Sequence, residues 1–176
     1  FDGTDDVLNM ATALTTTGKP FTFFMVFQKG ATDNEIFFTR RVDDEDDQIK
    51  TTGSNGNLVF GFQGQSVVTV TLASTGGSTV NYTIPTGEPV VIAVRRNAAG
   101  SVFLFAQEGL YIATKSNTAI QAGSNFTLGA IGGSTESATD YTGNMCEVGL
   151  YDADIGTSAC EILTKELSKK WACVNP

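Results

Sequence analysis

The feature that most restricts this chain is a succession of short apolar or alternating runs, each closed by residues that tolerate tight turns. The runs predict strands near Val7–Met10, Phe21–Gln28, Glu35–Arg41, Leu58–Gln63, Val67–Ala73, Thr79–Ile84, Val90–Arg95, Val102–Gln107, Tyr111–Thr114, Phe126–Ile131 and Met145–Tyr151. Between them stand Lys29-Gly30, Ser54-Asn55-Gly56-Asn57, Thr75-Gly76-Gly77-Ser78, Asn97-Ala98-Ala99-Gly100 and Ile131-Gly132-Gly133-Ser134. Such joins supply the positive-φ residues that hairpins need. Short strands at regular spacing, separated by turn signals, predict a two-sheet antiparallel sandwich. The run ending at Leu72 and the run from Thr79 to Ile84 flank Gly76-Gly77 as a hairpin. Val90–Val94 is apolar throughout, as in a strand covered on both faces. It leads through a polar turn into Val102–Phe105, which predicts a second hairpin.

Only the C-terminal segment predicts a helix. Thr157 or Ser158 is placed to cap it, and Lys169-Lys170 in the last turn complements the macrodipole. Cys160, Leu163, Leu167 and Trp171 share one face, which should lie on a sheet. Charged residues are only 17% of the chain and glycines number 19, a balance that suits stacked strands over surface helices. With 176 residues the chain suffices for one domain, 1–176, with its own core. Its start at Phe1 predicts a piece of a longer polypeptide.

Three features of the sequence exclude function classes. The net charge of −8, with no Lys/Arg stripe, repels a phosphate backbone and argues against nucleic acid. No stretch of about 18 apolar residues predicts membrane insertion. The chain has no histidine. That removes Ser–His and Cys–His hydrolases and most zinc enzymes, because the commonest general base and zinc ligand is missing.

Both ends carry a family resemblance. Phe1-Asp2-Gly3-Thr4-Asp5-Asp6-Val7-Leu8 resembles the opening strand of laminin-G-like domains of the concanavalin A-like lectin/glucanase superfamily. Tyr141-Thr142-Gly143-Asn144-Met145-Cys146-Glu147-Val148-Gly149-Leu150-Tyr151-Asp152, followed by a helix ending Lys169-Lys170-Trp171, is similar to its last long strand and helix. Phe21–Phe27 matches the early core strand. The resemblance implies an all-β jelly roll of two curved antiparallel sheets with one short C-terminal helix. It also implies a recognition surface, often for glycans, in phage virion proteins and secreted modular proteins. Glycosidases of the superfamily carry a Glu-x-Asp-x-x-Glu strand. Here the nearest segment is Glu45-Asp46-Asp47-Gln48-Ile49-Lys50, which ends in Lys.

Each candidate site has a plain structural alternative. In Asp43-Asp44-Glu45-Asp46-Asp47, the carboxylates of Asp44, Asp46 and Asp47 offer hard oxygens to a Ca²⁺ ion; the alternative is a solvated acidic loop without EF-hand spacing. No other cofactor is expected. Asp2, Asp5 and Asp6 read as a turn entering the first strand. Glu88, Glu108, Glu136 and Glu147 stand singly, and Glu147, mid-strand, suits a structural ion pair better than catalysis. Phe23, Phe27, Phe60, Phe62, Phe103 and Phe105 read as core. Tyr82, Tyr111 and Tyr141 are the candidate sugar-stacking residues, since a phenol tolerates water at its tip, and Trp171 should pack on the sheet. Cys146, Cys160 and Cys173 are expected to be reduced thiols, with a Cys160–Cys173 or Cys146–Cys173 bridge as the alternative.

These features predict a non-catalytic recognition domain on a virion surface, in a capsid decoration or a tail or fibre, attached to a protein lattice or a host glycan. The alternatives are an extracellular carbohydrate-binding or adhesion module of a bacterial protein and, behind it, a glycan-degrading enzyme. Partners would be virion or surface proteins, glycans, or further copies in a homo-oligomer.

Overall fold

Strands form where the alternation predicted them. The computed structural model describes residues 8–9, 20–31, 36–40, 47–52, 57–61, 68–73, 79–109, 111–115, 127–128 and 141–173. In chain order the strands are β1 (Leu8–Asn9), β2 (Phe21–Lys29), β3 (Ile36–Arg40), β4 (Asp47–Thr52), β5 (Asn57–Gly61), β6 (Val68–Thr69), β7 (Thr71–Ala73), β8 (Thr79–Asn81), β9 (Pro89–Arg96), β10 (Val102–Ala106), β11 (Tyr111–Lys115), β12 (Thr127–Leu128) and β13 (Gly143–Tyr151). One helix, α1 (Thr157–Trp171), follows. One sheet runs β1-β12-β3-β4-β5-β6 and the other β11-β10-β9-β2-β13, with β7-β8 a separate pair. All the ladders are antiparallel, and most neighbours beyond the hairpins are distant in sequence. The fold is a jelly-roll sandwich closed by one C-terminal helix.

The five-stranded sheet is covered on both faces, which explains its continuous apolar runs. Phe21, Phe23, Met25 and Phe27 of β2 join Val90, Ile92 and Val94 of β9 in the core between the sheets. Phe24 and Val26, with Val91 and Ala93, point the other way, to Cys160 and Leu167 of α1. Leu163 and Trp171 complete that contact, so the predicted apolar face of the helix does lie on the sheet. Burying each such side chain stabilises the fold by about 1.5–3 kcal/mol.

Several expectations are corrected. β4 was not foreseen, because Asp47–Thr52 holds one aliphatic residue. Its period-two pattern is carried by Ile49 and Thr51, both fully buried. Asp47 therefore opens a strand, opposite Arg40. The expected run Val67–Ala73 breaks at Val70, whose N–H donates to the Leu58 carbonyl and whose own carbonyl accepts from Tyr82 N–H. At the helix start, Gly156 (φ 83°) is the N-cap and no side chain caps it. Thr157 is instead the first helical residue, and its hydroxyl accepts from Arg95.

The predicted hairpin β9–β10 forms with Asn97 as its hinge. The Asn97 side-chain oxygen accepts from Ser101 N–H at 2.9 Å, and Gly100 adopts φ 84°. No helix among the described residues is long and apolar enough to cross a membrane.

β13 carries a bulge. Met145 faces Phe27 and Glu147 faces Val26 across the ladder, so Cys146 is the extra residue. Met145, Val148 and Leu150 pack into the inner core, whereas Cys146 joins the cluster under the helix and Glu147 reaches the helix end. The bulge thus turns two consecutive side chains to one face.

Candidate functional site

Burial redistributes the tyrosines named as candidate sugar contacts. Tyr82 is 1% exposed, and its hydroxyl donates to Gln107 Oε1 at 2.8 Å in the interior. Desolvation pushes its phenol well above the ordinary value of 10. Tyr141 is fully buried, and its hydroxyl donates to the Gln28 carbonyl at 2.6 Å, with the Asn144 carbonyl also within reach at 2.9 Å. Neither presents a ring face to solvent, so neither can stack on a sugar. Both are corrected to core residues. Tyr111 lies in β11 opposite Phe105, and its side chain is outside the described residues.

Among the tyrosines whose side chains are described, Tyr151, at the end of β13, meets solvent and is 42% exposed. It stands on the same face as Gly149, where a Cβ would run into the Phe24 ring. Phe24 therefore occupies the space above Gly149, and the Tyr151 ring leans on it, 6.2 Å between centroids at 38°. That contact braces the phenol while the residue keeps 42% of its surface accessible. Asp152, exposed, follows directly and adds hydrogen-bond acceptors. Strand parity from Gly149 was the signal available in sequence for Tyr151.

Two charged contacts fasten α1 to the sheet beside this surface. At its start, Arg95 Nη1 lies 2.7 Å from both carboxylate oxygens of Asp154, and Arg95 Nη2 donates to Thr157 Oγ1 at 2.9 Å. Asp154 Oδ1 also accepts from Gly156 N–H at 2.9 Å, and the guanidinium lies 4.0 Å above the Phe103 ring. At its end, Glu147 Oε2 accepts from both Lys170 Nζ and Trp171 Nε1 at 2.7 Å. Glu147 is the structural ion pair expected of it, and Trp171 packs on the sheet.

The hydrogen bonds from Lys170 and Trp171 hold the Glu147 carboxyl below its ordinary 4.5. A lowered native value adds stability above the unfolded value, and that stability is lost as pH falls through the native one. The melting-temperature gap between the wild type and Glu147→Gln should be largest at neutral pH and close below 4.5; a gap independent of pH would show that the charge contributes nothing.

A cleft of about 350 Å³ opens beside the last turns of α1, lined by Lys165, Ser168, Lys169 and Cys173. Its charge is partly cancelled, because Lys169 Nζ bonds Glu166 at 2.8 Å, and the Ser168 hydroxyl donates to the Thr164 carbonyl. Among the described residues no three His, Cys, Asp or Glu side chains gather to hold a metal. Asp44 and Asp46 lie outside the described residues, as do Asp2, Asp5, Asp6, Phe62 and Glu136.

No family model matches the chain, and no curated protein sequence matches it. Solved structures do resemble it. A heptameric SAP-like pentraxin from Limulus polyphemus superposes with a TM-score of 0.70 at 16% identity, over 94% of this chain and 80% of the pentraxin. Domain 4 of AbnA, an extracellular arabinanase from Geobacillus stearothermophilus solved with arabinotriose, gives 0.62 at 17%, over 90% and 72%. The CBM40 of a Ruminococcus gnavus IT-sialidase gives 0.55 at 17%, over 84% and 83%. Identities this low establish a shared jelly-roll fold, and function has to be argued from the site.

Proposed function

We propose that this chain is a non-catalytic glycan-binding module acting outside the cell, with Tyr151 as the aromatic platform on which a sugar ring stacks. The observation that carries the reading is the exposure of Tyr151, held against Phe24, on a jelly roll whose described Tyr82 and Tyr141 are sealed inside. Support comes from the fold likeness to the CBM40 and to the arabinanase domain solved with arabinotriose. A binding role without catalysis accords with the chemistry present. The chain has no imidazole, and Glu147 and Asp154 spend their carboxylates on holding α1. Attachment to a virion, which the family resemblance implied, has no feature of the structure in its favour and does not belong to the proposal.

Affinity electrophoresis against a panel of neutral and acidic polysaccharides tests the reading. The wild type should be retarded by at least one of them. Tyr151→Ala should weaken that interaction about tenfold, the equivalent of roughly 1.4 kcal/mol for a lost stacking contact. Reducing ends should not accumulate. Binding untouched by the substitution, or sugar release that persists with time, would overturn the proposal.

A further inference from the structure

We propose that Cys146 and Cys173 form a reversible disulfide that fastens the segment after α1 to the outer face of β13.

Three observations bring the two thiols together. The bulge in β13 turns Cys146, together with Glu147, to the helix side of the sheet. Glu147 then grips Lys170 and Trp171 at 2.7 Å each, which sets the last turn of α1 down beside the bulge. Finally, Ala172 adopts the left-handed conformation (φ 51°), and Cys173 N–H returns to the Ser168 carbonyl at 2.9 Å. This C-terminal wrap folds the chain back onto its own helix. As a result Cys146 and Cys173 pack against the same apolar cluster, built from Phe24, Val26, Val91, Ala93, Phe105, Cys160 and Leu167.

All three thiols are free in this structure, and two differ from the third in access. Cys146 and Cys173 are half-buried, open to a small reagent, whereas Cys160 is fully buried near the other end of the helix, close to Arg95 and Asp154. Burial raises both thiols, and Cys173 is pushed up to about 11, first by desolvation and then by the neighbouring Cys146. Exchange should therefore be slow at neutral pH and accelerate in alkali, because the thiolate is the attacking species.

The step uses a low-molecular-weight disulfide such as oxidised glutathione. One protein thiolate attacks its sulfur and expels a first glutathione thiolate, leaving a mixed disulfide. The second protein thiolate attacks the protein sulfur of that adduct and expels the second glutathione. Two protein thiols are oxidised, one glutathione disulfide is reduced to two thiols, and the two protons lost from the protein pass to these or to solvent.

The whole chain would be incubated with oxidised glutathione in mild alkali, then read by intact mass and by non-reducing peptide mapping. The expected product is lighter by two hydrogens, carries a Cys146–Cys173 linked peptide, and reverts with a reducing thiol. Cys146→Ser and Cys173→Ser should each abolish the mass loss, and Cys160→Ala should keep it. Persistent glutathione adducts without a crosslink, or a link that includes Cys160, would overturn the proposal.

Discussion

Asp154→Ala should lower the unfolding free energy by about 3 kcal/mol, the low end of the range for stripping one partner from a buried ion pair. The Arg95 side chain is only 9% exposed, and Asp154 keeps 21%. Removing the carboxylate leaves a guanidinium sealed above Phe103 without its counter-charge, while Arg95 Nε already lacks a partner among the described residues. Gly156 N–H loses its acceptor in the same stroke, so the first turn of α1 is released as well. The measurement is the denaturant midpoint at unchanged slope. Coupling can be separated from desolvation by Arg95→Met combined with Asp154→Leu, which should recover part of the loss because no buried charge is stranded. A loss in Asp154→Ala below about 1 kcal/mol, the value of an exposed pair, would mean that solvent reaches this contact freely.

Gly143→Ala should be costlier still. Gly143 opens β13 with φ 132°, a region that side-chain-bearing residues rarely enter. A Cβ there would collide with the Gln28 carbonyl oxygen and stand 3.0 Å from the Tyr141 hydroxyl. It would therefore wedge apart the Tyr141–Gln28 hydrogen bond that closes the sheet edge. Backbone strain of about 1–3 kcal/mol and overpacking of a similar size place the sum near 4 kcal/mol. That is a large part of the ~5–15 kcal/mol by which most domains are stable. Gly87→Ala supplies the control: φ is 77°, yet nothing lies within 4 Å of the added carbon. Its cost should stay at about 1–2 kcal/mol, from handedness alone. Equal losses in the two variants would show that the crowding at Gly143 contributes nothing.

What the sequence made legible was whatever a single element decides by itself. Val90–Val94 is apolar without interruption because its strand is sandwiched, and that pattern could be read without knowing what covered it. The face Cys160, Leu163, Leu167 and Trp171 was equally plain. β4 was hidden because half its inward positions are filled by Thr51, which satisfies the alternation without looking apolar. The tyrosines divided on a property no single strand carries. Tyr82 is interior, where Gln107 accepts from its hydroxyl, and Tyr151 is exposed at the end of β13. The bulge at Cys146 was illegible too. An extra residue in a ladder is defined by its partner strand, and Met145-Cys146-Glu147-Val148 shows no break in composition.

The same bulge bears on how copies of this molecule meet one another. Among the described strands β13 is the outermost of its sheet, bonded to β2 on one side. A long, flat border strand is a template on which a foreign strand can crystallise into the sheet, the first step of runaway fibre growth. The irregular residue twists that border and spoils its hydrogen-bond spacing midway, so no uninterrupted stretch longer than Glu147–Tyr151 is on offer. One out-of-step cysteine thereby divides the border of this sheet into two short ladders.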